Sequence, residues 1–285
     1  MLSIVTGATG GLGFAAARAL AASGHTVVLA GRNAAKGAYA QTRLPGTRFE
    51  LLDLARLQSV REFAARITEP VTILINNAGV MAPDRRQRTA DGFELQTGTN
   101  YLGHYALTAL LLPQLVAGRA HVVQISSLAH RKARLAFDNL QGERFYRPWV
   151  QYGQSKLMML MFALELDRRA QAAGWPLTST AAHPGWAATD IIANGPGGGT
   201  AGLREQVMKL GFNLFAQSAA DGARPYIYAA TAPQAAGGAY YGPTGFGEMK
   251  GPPGPSKIMP QALNQAAAAR LWDVSAQLTG VSWGP

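Results

Sequence analysis

Between residues 4 and 20 the chain reads IVTGATGGLGFAAARAL. Four glycines fall within seven positions, flanked by an apolar run and an alanine-rich run. Glycine inside regular structure costs roughly 0.5–1 kcal/mol per residue relative to alanine, so the cluster needs a purpose. An apolar strand over 2–6 that must turn at once into a helix supplies one. Small residues let the backbone close in on a ligand. The helix N-terminus then offers unpaired N–H groups and the positive end of its dipole to an anion such as a pyrophosphate. The turn depends on Gly7, Gly11 and Gly13, with Thr9 and Leu12 between them. Their G-x-x-x-G-x-G spacing differs from the commoner G-x-G-x-x-G. A glycine-rich turn without a ligand is the alternative, and the placement between a first strand and a first helix counts against it.

The alternation that begins here continues. LSIVTG (2–7), TVVLAG (26–31), TRFELLDL (47–54), VTILINNAG (71–79), AHVVQISS (120–127) and LTSTAAHPG (177–185) read as strands. Helices are expected over about 12–23, 56–68, 98–117 with Pro113 near its end, and 150–172, stopped by Gly174 and Pro176. Strands this apolar are buried on both faces, and alternation with helices implies right-handed parallel crossovers. The expected class is α/β: one doubly wound parallel sheet of about seven strands with helices on both faces, spanning 1–285. Residues 1–125 form mainly the cofactor half and 126–240 the catalytic and substrate half. Over 241–285 a Gly/Pro-rich segment and a C-terminal helix (about 260–279) follow. The stretch YYGPTGFGEMKGPPGPSKI (240–258) is expected to be an ordered loop near the end of the seventh strand.

Composition narrows the function. The chain has no cysteine, which excludes disulfides, thiolate metal sites and cysteine nucleophiles. No apolar run reaches the ~18–20 residues needed to cross a bilayer. No signal peptide is visible. The chain opens directly on a strand, so a soluble, cytoplasmic protein with no membrane anchor is expected. The formal charge is +10, from 26 basic and 16 acidic residues. The basic residues are scattered apart from RRQR (85–88) and HRKAR (130–134), which read as solvated loops. No nucleic-acid partner and no metal is expected.

Two further positions carry chemistry. In NAD-binding folds an acidic residue at the end of the second strand accepts hydrogen bonds from the adenosine ribose. Here that strand ends Leu29-Ala30-Gly31-Arg32-Asn33, with Lys36 one turn on and no carboxylate. Arg32 could clamp a 2′-phosphate by paired, charge-assisted hydrogen bonds, which favours NADP(H) over NAD(H). The second position is QYGQSK (151–156), where Tyr152 and Lys156 share a helix face. A tyrosine with pKa near 10 works as an acid/base near neutrality only if shifted by about two to three units. A cation ~4 Å away supplies about 4 kcal/mol at an effective dielectric of 20 but only about 1 in water, so the site must be nearly closed to solvent. Ser127 ends the ISS piece (125–127) at the carboxyl edge of the fifth strand, where ligands bind in open α/β sheets. It could hydrogen-bond a substrate oxygen, with Ser126 the lesser choice.

These pieces together resemble the short-chain dehydrogenase/reductase family. The matching segments are TGATGGLG (6–13), DL (53–54), NNAG (76–79), TNYLGHYALT (99–108), ISS (125–127), YGQSK (152–156) and HPGWAATD (183–190), in that order along the chain. The stretch TADGFELQTGTNYLGHYALTALLLPQL (89–115), and the long gap between Ser127 and Tyr152, are similar to the retinol dehydrogenase and WW-domain oxidoreductase branch. The resemblance implies a Rossmann-type fold and an NADP(H)-dependent oxidoreductase interconverting a hydrophobic aldehyde or ketone and its alcohol. It implies that Tyr152 donates the proton, Lys156 lowers the tyrosine pKa and holds the nicotinamide ribose, and Ser127 orients the substrate. Asn100 matches the helix asparagine that supports a proton-relay water. Asp53 and Leu54 match the adenine pocket, and Asn77, followed by Ala78 and Gly79, the adenosine-side ribose contact. Ala187 and Thr189, after Pro184 and Gly185, match the groups that meet the carboxamide. Gly10 departs from the basic residue of many NADP-dependent relatives, so the cofactor preference leans on Arg32, Asn33 and Lys36. A non-catalytic NADP(H)-sensing or partner-binding module on the same fold is the alternative, though such proteins tend to lose the tyrosine or lysine.

A mobile lid is expected over about 190–222. ANGPGGGTAG (193–202) would be its hinge, and Leu203, Val207, Leu210, Leu214 and Phe215 one helix face; an ordinary packed helix is the alternative. Trp149, Trp186, Met208 and Phe212 are candidates for an apolar substrate pocket. A homodimer or homotetramer through the helices near 98–117 and 150–172 is expected from the family; the long insertion before Tyr152 leaves a monomer open.

Overall fold

The computed structural model describes residues 1–186 and 217–284. Its centre is an eight-stranded sheet in the order β3-β2-β1-β4-β5-β6-β7-β8. The first six strands are β1 (Leu2–Thr6), β2 (Thr26–Gly31), β3 (Arg48–Leu51), β4 (Val71–Asn76), β5 (His121–Ile125) and β6 (Thr178–Ala182). The last two are β7 (Tyr240–Pro243) and β8 (Pro253–Pro255). All pairings are parallel except β7 with β8. The order reverses between β1 and β4, because β1 pairs with β2 on one side and with β4 on the other. That reversal opens a crevice at the carboxyl ends of the strands.

Helices cover both faces. On one side lie α1 (Gly11–Ala22), α2 (Ala34–Arg43) and α7 (Ala219–Thr231). They pack on Val5, Val27, Leu29, Ile73 and Val123. On the other lie α3 (Leu57–Arg66), α4 (Gly103–Leu110), α5 (Leu112–Ala117), α6 (Pro148–Ala173) and α8 (Gln265–Thr279). Their core includes Ile4, Val28, Leu74 and Val122. Successive strand residues point to opposite faces, so a strand buried on both is apolar throughout. Helix α6 begins with Pro148 at its first turn and ends at Gly174, whose φ of +67° suits the left-handed C-terminal position.

Helices α2 and α7 are additional to the sequence expectation, residues 219–222 of the expected lid lying in the first turn of α7, and three further elements differ from it. The single helix over 98–117 is divided: a π-helical turn covers Thr97–Leu102, then α4 and α5 follow with a break at Leu111, two residues before Pro113. The Gly/Pro-rich stretch is more than a loop, because Pro253–Pro255 pairs back on β7 as an eighth strand. Prolines lack an N–H but are tolerated on an edge. The tail helix is preceded by a 3₁₀ turn, Pro260–Leu263. Among the described residues, no helix is long and apolar enough to cross a membrane.

Candidate active site

The crevice at the strand reversal holds a cavity of about 630 Å³. Every cofactor-side residue expected between Gly7 and Gly79 lines it. Its floor is the glycine turn. Gly7 has φ +68° and Gly11 φ +54°, left-handed values that side chains rarely adopt. A Cβ on Gly13 would fall 2.4 Å from the Gly7 carbonyl oxygen, so the backbone can draw this close only without one. Helix α1 starts with no side-chain cap at Gly10 and no acidic residue in its first turn. Its leading N–H groups therefore face the cavity as anion donors. These features fit a dinucleotide pyrophosphate.

Thr6 fixes the back of this cradle. Its Oγ1 accepts from the backbone N–H groups of Asn77 and Ala78, both at 2.9 Å. It also meets His104 Nε2 at 2.9 Å. His104 Nδ1 lies 2.7 Å from the Asn100 carbonyl, which can only accept, so the ring donates there and Nε2 accepts the Thr6 hydroxyl proton. Burial holds the His104 pKa down to about 3, which keeps that tautomer neutral. The Asn77 amide donates to the Thr6 carbonyl at 2.8 Å.

At the far end Arg32 and Lys36 are exposed at the cavity rim. Asn33 caps α2, accepting from the Lys36 N–H at 2.9 Å. Asp53 accepts from the Ala55 N–H at 3.0 Å. Tyr39, Arg43, Val80 and Thr99 also line the cavity and were not anticipated from the sequence. The Arg43 guanidinium lies 4.6 Å from the Phe14 ring centroid and 5.8 Å from that of Tyr39. No local motif marks a residue twelve positions past the end of a strand as a neighbour of the glycine turn.

The second cluster sits at the carboxyl ends of β4 and β5. Asn100 lies in the π-helical turn and is fully buried. Its Oδ1 accepts from the Val80 N–H at 2.7 Å, and its Nδ2 donates to the Val80 carbonyl and to Ser155 Oγ, both at 3.0 Å. Lys156 Nζ donates to the Ile125 carbonyl at 3.0 Å and lies 5.8 Å from the Tyr152 ring centroid. A Cβ on Gly79 would meet Asn100 Oδ1 at 3.2 Å and Lys156 Nζ at 3.6 Å, so this glycine marks where the two clusters touch. Ser126 is buried and donates to the Lys156 carbonyl at 2.8 Å, which commits it to holding α6. Ser127 stays half-buried beyond the strand, and its hydrogen bond with Tyr152 favours the phenolate.

The electrostatics differ from the expected tuning. Burial pushes the Tyr152 phenol up, opposed by the bond with Ser127. Burial also holds Lys156 down, to about 8. The reason is common to both: the site is closed enough that each group loses hydration, and at this separation the lysine does not offset the tyrosine's loss.

Pro184 and Gly185 follow β6. Gly185 has φ +67°, and a Cβ there would fall 2.4 Å from the Met249 carbonyl. That carbonyl also accepts from the Trp186 N–H at 2.8 Å and from Gln217 Nε2 at 2.7 Å. Ala187, Thr189, Met208 and Phe212, and the expected lid up to residue 216, lie outside the described residues. Trp149 is 59% exposed with its ring edge-on to Tyr152 at 6.0 Å. Trp186 is 40% exposed. Trp149 therefore stands at the rim of the site beside Tyr152, and Trp186 is partly exposed just after β6.

Comparison with known proteins agrees with this geometry. The family model for short chain dehydrogenases matches residues 2–195. The chain is 40% identical to retinol dehydrogenase 13 of Homo sapiens, over 98% of this chain and 84% of that protein. It is 38% identical to polyprenol dehydrogenase of Mus musculus, over 99% of this chain and 85% of that protein. A solved structure of an uncharacterized protein from Mycobacterium Paratuberculosis superposes with a TM-score of 0.83 at 38% identity, over 100% of this chain and 95% of that one.

Proposed function

The chain belongs to the short-chain dehydrogenase family, in its retinol dehydrogenase-like branch, and on that premise we propose that it is an NADPH-dependent oxidoreductase interconverting a hydrophobic aldehyde or ketone and its alcohol. The observation that carries this reading is the gathering of Ser127, Tyr152 and Lys156 in a nearly closed site beside a cavity whose backbone is shaped for a pyrophosphate. The dinucleotide supplies the hydride. The glycine turn and the N-terminus of α1 would hold its pyrophosphate, and Arg32 and Lys36 would meet its 2′-phosphate. Ser127 orients the substrate oxygen, and Tyr152 gives that oxygen its phenolic proton as the carbonyl becomes an alcohol. A buried cation at Lys156 favours the phenolate left behind. A second positive charge beside Tyr152, such as an oxidised nicotinamide ring, would add to it. Trp149, exposed at the rim beside Tyr152, suits a bulky apolar substrate.

The test is NADPH oxidation by the purified protein against retinal, alkyl aldehydes, aryl ketones and steroid ketones, with NADH as the second cofactor and Tyr152→Phe beside the wild type. The reading expects turnover with at least one carbonyl, a preference for NADPH, and a loss of 10²–10⁴-fold in the variant, the range of general acid–base catalysis. Equal rates in Tyr152→Phe would remove that residue from the mechanism, and a preference for NADH would overturn the assignment of Arg32.

A further inference from the structure

Ser127 lies two residues past the end of β5, beyond the ladder that fixes the strand. Its backbone is extended and it caps the 3₁₀ turn Leu128–Lys132, with its Oγ accepting from the Ala129 N–H at 3.2 Å. Where Ser127 points is therefore set by what holds that turn. The turn is held from a distant segment, the loop between β7 and β8. Arg131 Nη2 lies 2.7 Å from the Glu248 carboxylate, and Arg131 Nη1 donates to the Gly247 carbonyl at 3.2 Å.

Glu248 is an unusual residue to find there. It has φ +60°, a left-handed backbone value that a side-chain-bearing residue adopts only when its surroundings impose it. The surroundings are four donors on one carboxylate: Arg131, His183 Nε2 at 3.2 Å, Ser256 Oγ, and the Lys257 N–H at 3.1 Å. His183 is fully buried. Its Nδ1 accepts from the Gly185 N–H at 3.1 Å, so its proton is on Nε2 and directed at Glu248 and Ser256. The ring fills the space above Gly242, where a Cβ would fall 1.9 Å from Nε2. A second line of contact runs parallel. Tyr240 packs between His183 and His130, with ring centroids 5.1 and 5.3 Å away, and His130 Nδ1 donates to the Ser127 carbonyl at 2.7 Å. The serine-bearing turn, the segment after β6 and the segment after β8 thus converge on one carboxylate.

We infer that Glu248 is a positioning residue for Ser127, acting through Arg131 and the His183–Tyr240–His130 stack. This rests on the role given to Ser127 above. The turn has an independent anchor as well, because Gln261 Nε2 donates to the carbonyls of His130 and Arg131 at 3.2 and 3.0 Å. Loss of the carboxylate should therefore misdirect the turn without melting it.

The experiment is a double-mutant cycle of Glu248→Gln and Ser127→Ala, read as kcat/KM for decanal and the other carbonyls of the panel with saturating NADPH. Glu248→Gln is expected to lose about tenfold in kcat/KM, mostly in kcat, and less than about twofold when Ser127 is already alanine. The same loss in both backgrounds, or no loss in either, overturns the inference. Arg131→Gln removes the same contact from a half-exposed position, should reproduce the pattern, and serves if Glu248→Gln fails to fold. Amide exchange gives a readout that needs no substrate. Residues 128–132 should exchange faster in both variants while residues 7–13 stay unchanged, and unchanged exchange over 128–132 overturns the inference even if no carbonyl in the panel is turned over. Absence of wild-type turnover on every carbonyl would instead count against the proposed activity, so the two failures are distinguishable.

Discussion

The two ends of the crevice are built on opposite principles. The cofactor end is made of backbone and exposed cations: a turn of left-handed glycines, a helix start without a side-chain cap, and Arg32 and Lys36 in contact with solvent. The catalytic end is made of buried side chains whose ionisation the fold has moved, Tyr152 up and Lys156 down to about 8; beyond them, against its partial burial, hydrogen bonds from His183 and Ser256 hold the Glu248 carboxyl down to about 2. An anion bound for its shape and charge needs fixed N–H groups and cations and can tolerate water. A proton handed over at the reacting atom needs an environment that sets the donor's pKa, which burial does strongly. The comparison separates binding from chemistry, and each half can be damaged alone.

The largest effect expected at the binding end is from Gly13→Ala. Its Cβ would fall 2.4 Å from the Gly7 oxygen and 2.5 Å from Asn77 Nδ2, so the turn must open and lose its fit to the pyrophosphate. NADPH affinity should fall by at least about 100-fold, the loss of two or more charge-assisted hydrogen bonds. Titration of intrinsic fluorescence with NADPH checks it, and affinity within a few-fold of wild type would mean that the cradle is not where the anion sits. Next is Arg32→Ala. Removing a charge-assisted contact should weaken 2′,5′-ADP binding about 10–100-fold and 5′-AMP binding hardly at all. Equal losses for both ligands would place the guanidinium away from the 2′-phosphate.

A smaller effect, of the opposite sign, is expected from Lys156→Met. The folded-state pKa of Lys156, about 8, is below its ordinary 10.5, so the folded chain pays to keep the cation. That cost is fully present below about pH 8, is released as pH rises from 8 to 10.5, and is gone above that range. The variant should therefore be inactive yet more stable than wild type at pH 7, by about 1–3 kcal/mol, with the gain shrinking towards pH 10.5. Urea unfolding at pH 7 and pH 10 measures it, and an equal or larger gain at pH 10 would contradict the burial argument.

The same division explains what could be read from the sequence. The cofactor half is written locally. The strand TVVLAG matches β2 residue for residue, and the glycines, Arg32 and Lys36 lie on either side of a single helix. At the catalytic end, Tyr152 and Lys156 are legible because one helix carries both. The residues that hold them are not. The π-helical turn around Asn100 arises where its side chain reaches Val80 and Ser155, a tertiary demand that periodicity does not express. The strand β8 is only Pro-Gly-Pro, and it exists because β7 offers it an edge. Glu248 sits in a Gly/Pro-rich stretch that reads as a loop, and its partners Arg131 and His183 come from far apart in the chain.

The most direct test of the division is to measure the NADPH dissociation constant and the turnover number of Tyr152→Phe on the same preparation. If binding and chemistry are held by separate parts of the molecule, turnover falls by 10² or more while the dissociation constant stays within about threefold of wild type. A dissociation constant that rises in step with the lost turnover would contradict it, and would mean that the buried tyrosine belongs to the cofactor's binding site as much as to the reaction.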